Sequence, residues 1–176
     1  MRWLPFQLNP DLPETGIPRS EYIERKFGAR GKGNYERVSL IGKSVGIPFE
    51  FDKIEVQPNT LNAHRLLHHA EQQGRQHEVA DELFKAYFTQ GANLTDLDTL
   101  ADIAARGGLD RAAVQAYLAS GEDRDLVANA DIEARQAGIS GVPFFIFNRA
   151  VGLSGAHEPE TLVDAMLQSL QPRAPG

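Results

Sequence analysis

A turn of small residues, Ser140-Gly141, leads through Val142-Pro143 into an unbroken apolar run, Phe144–Phe147. The run predicts a strand that is buried on both faces, and a proline is tolerated at its first residue. X-Pro bonds adopt the cis form at modest cost. A cis bond would leave the N–H and C=O of Val142 unpaired, so that they could bind an extended peptide or a small ligand. A trans proline that merely starts the strand is the alternative, and the residues alone favour it.

Two histidines, His64 and His68, lie four residues apart on one predicted helix, a spacing that can hold a metal ion. His69 is adjacent, but no H-E-x-x-H arrangement is completed, so we expect solvated or capping histidines and no metal site. Arg65 could pair with a carboxylate, and we expect that pair to be a surface ion pair. No serine lies in a G-x-S-x-G turn, which leaves hydrolase chemistry without support.

The sequence of 176 residues contains no cysteine, which excludes thiol catalysis, disulfides and zinc–thiolate sites within it. Eighteen basic and twenty-four acidic residues give a formal net charge of −6. This charge argues against nucleic acids and anionic membranes as partners. No apolar run reaches the length of a membrane-spanning helix and no signal peptide is recognised, so we expect a cytoplasmic protein.

The elements that position these groups begin with a predicted strand over Trp3–Leu8, followed by a proline-rich surface loop. The sole tryptophan, Trp3, is expected to be a core residue of that strand. From Asn59 to Gly138 the pattern is mostly helical, and Asn59 or Thr60 is expected to cap the first helix of this block.

Later elements are also marked by local signals. Thr95 followed by Asp98 predicts a capping box at the start of one helix. The strand that starts at Phe144 and a second strand over Val151–Ser154 are expected to form a hairpin, with its turn at Asn148-Arg149. The last helix begins at Pro159, and its inner face is predicted to carry Leu162, Ala165, Met166 and Leu170.

Four motifs, taken in order, resemble one known family. Ser140–Phe145 resembles the cis-proline loop of the DsbA family within the thioredoxin-fold superfamily. Arg2–Pro10 is similar to the second strand of its FrnE-like branch, Pro58–Leu66 to a helix start, and Leu153–Ala156 to a later strand end. The oxidoreductases of that branch and the related 2-hydroxychromene-2-carboxylate isomerases share this layout, which covers residues 2–171.

The resemblance implies an α/β fold: a thioredoxin-like sheet with a large inserted all-helical domain, N-terminally incomplete. Residues 1–18 and 139–176 would form the thioredoxin-like domain, and residues 19–138 the inserted helical domain. The family begins with a strand and a helix that carries Cys-x-x-Cys, or a serine in the isomerases, and nothing here corresponds to them. We therefore expect a truncated start, with a βα unit of roughly 30 residues upstream. A non-catalytic paralogue and a chain completed by a partner are the alternatives.

The resemblance also implies which residues bind. Gly141, Val142 and Pro143 would form the substrate-binding loop, whereas the helical block would line the cleft with Asn59, Thr60 and His64. His64 could bind an anionic ligand such as glutathione there, or tune the pKa of a thiol. An ordinary polar position on an amphipathic helix is the alternative. No catalytic residue and no metal ligand are expected in this chain.

Three functions remain open. The first is a thiol–disulfide oxidoreductase whose cysteines lie upstream and which acts through a mixed disulfide. The second is a glutathione-dependent isomerase of the 2-hydroxychromene-2-carboxylate type, and the third is a non-catalytic binding protein. No cofactor is expected other than glutathione in the isomerase. The expected partner is a thiol or disulfide protein or a small-molecule substrate, and a homodimer is an option. The chain by itself should be inactive in disulfide exchange.

Overall fold

The protein is described from a computed structural model, which describes residues 1–28 and 31–171. Its helices are α1 (Arg19–Phe27), α2 (Gly31–Ser44), α3 (Leu61–Gln72), α4 (Gln76–Gln90), α5 (Leu97–Arg106), α6 (Arg111–Ser120), α7 (Arg124–Gln136) and α8 (Pro159–Ser169). Its strands are β1 (Ile17–Pro18), β2 (Val56–Gln57), β3 (Phe144–Phe147) and β4 (Val151–Ser154). The chain divides into two compact units, Met1–Ala130 and Asp131–Gly176. The predicted division into 1–18 with 139–176 and 19–138 stays a prediction, and residues 172–176 lie outside the described part.

The core of the first unit lies where α3, α4, α5 and α6 pack against one another. Leu66, Val79 and Leu100 are among its fully buried side chains. On each helix the buried residues recur at spacings of three and four, so that one face of the helix is turned inward. The two short strands β1 and β2 pair in antiparallel fashion beside α1.

The first residues of the chain form no strand within the described ranges. The N–H of Trp3 donates to Oε1 of Gln76, and Nε2 of Gln76 donates to the C=O of Trp3, both at 2.9 Å. The predicted strand over Trp3–Leu8 is therefore wrong. A strand needs backbone partners from another strand, whereas here one side-chain amide at the start of α4 takes both backbone groups of Trp3. The indole is half-buried and lies against His77 and Phe84.

The start of α5 also differs from its prediction. Asp96 is the N-cap, and its carboxylate accepts hydrogen bonds from the N–H groups of Asp98 and Thr99. Thr95 instead bonds to the side chain of Asn93 through both its N–H and its hydroxyl. The capping box predicted at Thr95 is wrong, because the Thr95 hydroxyl is committed to the preceding turn while the Asp96 carboxylate reaches the free N–H groups of α5.

This cap gives a testable pH dependence. Hydrogen bonding, first from the Thr99 side chain, lowers the pKa of Asp96 below its ordinary value. A depressed pKa means that the cap adds stability above the unfolded-state pKa, and that this stability is lost as pH falls through the folded-state pKa. We expect Asp96→Ala to lower the free energy of unfolding by about 1 kcal/mol at pH 7 and by less at pH 3, as measured by urea denaturation. The control Asp96→Asn keeps a cap acceptor and should stay near the parent protein at both pH values; an alanine effect that grows at pH 3 would contradict the assignment.

In the second unit, β3 and β4 form an antiparallel hairpin with Phe144 opposite Ser154 and Phe147 opposite Val151. The connecting residues Asn148 and Arg149 have φ values of 50° and 54°. Such positive values are typical of the turns whose twist matches that of a hairpin. The predicted hairpin and its turn are thus confirmed.

The burial expected for this unit is only partly correct. Ile146 is 49% exposed, so the prediction that the Phe144 strand is buried on both faces is wrong. A two-stranded hairpin packed on the single helix α8 has cover for only one of its faces within the unit. On α8 the buried residues are Ala165 and Ser169, whereas Met166 and Leu170 are exposed and were wrongly placed on the inner face. The C=O of Ser169 accepts a hydrogen bond from the Asn148 amide, which anchors α8 to the hairpin turn.

Candidate functional site

The loop before β3 presents main-chain groups at the surface. The Val142–Pro143 peptide bond is cis, and the C=O of Pro143 accepts a hydrogen bond from the N–H of Gly155 at 2.9 Å. Within residues 1–28 and 31–171, the N–H and C=O of Val142 have no hydrogen-bond partner. Half of the Val142 surface is exposed and Gly141 is half-buried. The loop Gly141–Pro143 therefore offers one free donor and one free acceptor beside the hairpin.

The start of α3 holds two of the predicted cleft residues. The Asn59 amide donates to the C=O of Leu12 at 2.7 Å, and its oxygen accepts from the N–H of Leu61 at 2.9 Å. Thr60 is the N-cap residue, and its C=O accepts from the N–H of His64. These contacts fix the beginning of α3 and hold the surface loop against it. Both residues thus have positioning contacts, and their predicted place in a substrate cleft stays a prediction.

One face of α3 lines a cavity in the first unit. His64, Leu67, His68 and Glu71 follow one another at spacings of three and four, so they lie along one stripe of the helix. The segment 2–5 and the residues Leu126, Val127 and Ala130 complete the walls, which enclose about 90 Å³. The structure therefore brings His64 and His68 together in this cavity, which Asn59 and Thr60 do not line.

The polar groups around this cavity are arranged in pairs. Nε2 of His68 lies 3.6 Å from Oδ2 of Asp123, which also accepts a hydrogen bond from the Tyr117 hydroxyl at 3.1 Å. Burial, followed by that hydrogen bond, raises the pKa of Tyr117. Arg2 forms an ion pair with Glu71. Each of these cationic or basic groups thus has a carboxylate partner of its own.

Arg65 is only 1% exposed, so the expectation of a surface ion pair is wrong. Its guanidinium donates to the C=O groups of Tyr117 and Leu118 at 3.0 Å and of Glu122 at 2.9 Å. A fourth bond reaches Oδ1 of Asn62 at 2.9 Å. The last carbonyls of a helix lack partners within the helix, and the planar guanidinium bonds to two of those in α6 and to one in the turn that follows it. Sequence reasoning missed this role because the partners are backbone atoms more than fifty positions away.

Neither a metal centre nor a membrane span is found in the described part of the chain. No group of three or more His, Cys, Asp or Glu residues there could hold a metal ion. None of the helices described is both long enough and apolar enough to cross a bilayer.

Comparison with known proteins identifies the family. A profile of the DSBA-like thioredoxin domain matches residues 1–167. The chain belongs to the DSBA-like thioredoxin domain family. The predicted fold, α/β and thioredoxin-like with a helical insertion, is thereby confirmed, as is the resemblance to DsbA proteins.

Two relatives of this DSBA-like chain illustrate the likeness. The crystal structure of a probable DsbA oxidoreductase, SCO1869 from Streptomyces coelicolor, superposes with a TM-score of 0.85 and is 28% identical. That match covers 97% of this chain and 75% of the other. The uncharacterized protein YwbO of Bacillus subtilis (strain 168) is 26% identical over 156 residues, which is 86% of this chain and 73% of YwbO.

Proposed function

We propose that this chain provides the substrate-binding part of a DsbA-like thiol–disulfide oxidoreductase. The observation that carries the proposal is the exposed loop Gly141–Pro143, in which Val142 has an unused N–H and an unused C=O. Membership of the DSBA-like family supports it, as does the likeness to a probable DsbA oxidoreductase.

The loop suits an extended polypeptide. A peptide that lies alongside Val142 can donate to its C=O and accept from its N–H, as one rung of an added strand does. Because these are main-chain bonds, they would tolerate many side chains in the substrate, which suits an enzyme that acts on unfolded cysteine-containing chains. A thiolate is needed for the exchange step itself. The 176 residues contain no cysteine, so the thiols of that step would come from another segment or from a partner chain.

A peptide-binding experiment tests the loop. We expect a labelled ten-residue peptide with one alkylated cysteine to bind this chain, as measured by fluorescence anisotropy. Methylation of the single backbone nitrogen that pairs with Val142 should weaken binding about five- to tenfold, the loss of one hydrogen bond of about 1 kcal/mol.

Paired variants locate the peptide on the protein. Val142→Asp should weaken binding by at least about fivefold, since it sets a carboxylate against the peptide backbone. Val163→Asp is the matched control, because both valines are 50% exposed, and it should leave affinity within about twofold of the parent. Equal effects of the two variants, or no binding by the parent, would overturn the loop assignment.

A non-catalytic binding protein is the second candidate, favoured by the lack of cysteine in the sequence. The intact mass of the protein from its native host, before and after alkylation of thiols, separates the two. Alkylated cysteines would support the oxidoreductase. A mass of 19.4 kDa without alkylation would support the binding protein. A longer chain without reactive thiols, together with glutathione-dependent isomerisation, would favour the isomerase.

A further inference from the structure

The cavity along α3 is a second place at which this protein could hold a molecule. It lies within the first unit and is not lined by any residue of the loop Gly141–Pro143. An inference about it therefore stands independently of the proposed oxidoreductase function.

The size of the cavity limits what it can hold. An enclosed volume of about 90 Å³ is smaller than the roughly 150 Å³ cavity that accommodates benzene in an engineered core. A tripeptide or a two-ring compound is too large. A branched alkyl group fits, and a single ring fits only if its outer edge stays in the open mouth at Arg2 and Leu4, both of which are exposed, while its polar end points inward to His64 and His68.

The walls favour an apolar body. Leu4, Leu67, Leu126, Val127 and Ala130 supply aliphatic surface. Trp3, whose indole plane is fixed against His77 and Phe84, adds an aromatic wall. Mostly apolar walls with a few convergent polar groups are typical of small-molecule sites.

The charges around the cavity decide the polarity of the ligand. The Arg2 guanidinium is paired with Glu71, and the His68 imidazole faces Asp123. An anionic ligand would lie beside the Glu71 carboxylate, which lines the cavity, and a cationic ligand would have to break the pair of Arg2 with Glu71 to find a partner. A charge buried without a partner is expensive, whereas a neutral amide or hydroxyl can exchange hydrogen bonds with an imidazole at little cost.

We propose that this cavity is a binding site for a small uncharged molecule that has one ring or branched alkyl group and one hydrogen-bonding group. The body of the ligand packs between Leu67, Trp3 and the α7 wall. Its polar group lies beside His64 and His68. Glutathione, the anionic ligand considered for His64 from the sequence, does not fit this site in size or in charge.

Three isosteres test the proposal: benzamide, benzoate and benzamidine, which are neutral, anionic and cationic. The single tryptophan gives one indole N–H resonance in a ¹⁵N–¹H correlation spectrum, so its shift reports on the cavity wall. We expect benzamide to move this resonance in a saturable titration. Benzoate and benzamidine should bind at least about fivefold more weakly, in keeping with the cost of a buried unpaired charge.

Variants place the ligand in the cavity. Ala130→Leu should fill the space and weaken benzamide binding at least about tenfold, whereas Asn129→Leu adds the same side chain at an exposed neighbouring position and should change affinity less than about twofold. Should Ala130→Leu fail to fold, Leu4→Ala removes part of the wall at a 57% exposed residue and should weaken binding about threefold. No saturable shift, equal affinity for a charged isostere, or full binding by the filled or truncated variant would overturn the proposal.

Discussion

Replacing Arg65 with methionine is expected to lower the free energy of unfolding by about 3–5 kcal/mol. Methionine retains much of the apolar stem but cannot donate, so the carbonyl oxygens of Leu118 and Glu122 would lose the guanidinium as a partner, while that of Tyr117 would keep only the Ser120 hydroxyl. Arg65 is 1% exposed, and water cannot readily replace the guanidinium. Each buried acceptor left without a hydrogen bond costs about 1–3 kcal/mol. Urea denaturation followed by circular dichroism measures the change.

Arg111→Met is the matched control, because it removes an arginine that is also bonded to several partners but lies at the surface. Arg111 contacts the carboxylates of Asp98 and Asp102, and its side chain is 44% exposed. Exposed ion pairs contribute about 1 kcal/mol or less, so this variant should lose no more than that. Arg65→Lys should recover only part of the loss, since an ammonium group cannot reproduce the planar fork. A similar loss for Arg65→Met and Arg111→Met would show that Arg65 does not brace α6.

Gly91→Ala is expected to lower the free energy of unfolding by about 2–5 kcal/mol. Gly91 ends α4 with a φ of 72°, a left-handed conformation that a Cβ atom makes unfavourable. A Cβ at this position would also lie 2.6 Å from the carbonyl carbon of Lys53 and would overlap its oxygen. The segment Phe51–Lys53 would have to move away from the end of α4, which it now contacts. Chemical denaturation measures the sum of the two costs.

Gly121→Ala separates the cost of the conformation from that of the overlap. Gly121 has a φ of 74° at the end of α6, and a Cβ there would meet nothing within 4 Å. This variant should lose only the backbone cost of about 1–2 kcal/mol. The difference between the two variants in free energy of unfolding is then the cost of displacing Lys53. Equal losses would refute the close packing of that segment.

Local signals in the sequence predicted the local structure well. The last helix begins at Pro159 as predicted, because the fixed φ of a proline suits the first position of a helix. The hairpin of β3 and β4 also turns at Asn148-Arg149 as predicted. In each case the residues that decide the conformation are neighbours in the chain, so their pattern is visible without the fold.

The errors have a common physical cause, which is dependence on distant partners. Arg65 finds carbonyls of α6, and Trp3 finds the Gln76 amide 73 positions away. Neither pairing leaves a periodic trace in the sequence. The exposure of Ile146 and Met166 likewise depends on which elements cover the hairpin, and an apolar residue type alone does not reveal that.

Part of the candidate site is predictable from neighbouring residues, and part depends on residues that are distant in the sequence. The loop Gly141–Pro143 stands out in the sequence because its proline directly precedes the apolar run Phe144–Phe147. The spacing of His64 and His68 places them on one face of α3, but the cavity beside them is formed with α7 and the segment 2–5. Its balanced charges arise from Asp123 and Glu71, which only the folded chain brings to the histidine and arginine. The type of ligand was therefore not predictable from the spacing of the histidines.

The two hydrogen bonds between Trp3 and Gln76 depend on a single side chain. A strand in a sheet is held by many rungs and frays from its end one rung at a time. Both backbone groups of Trp3 are instead held by one amide, which supplies a donor and an acceptor together. A single rotation of that side chain breaks both bonds at once. The two backbone bonds of Trp3 therefore form and break together, whereas the ion pair of Arg2 with Glu71 and the ring contacts of Trp3 hold the segment 2–5 separately.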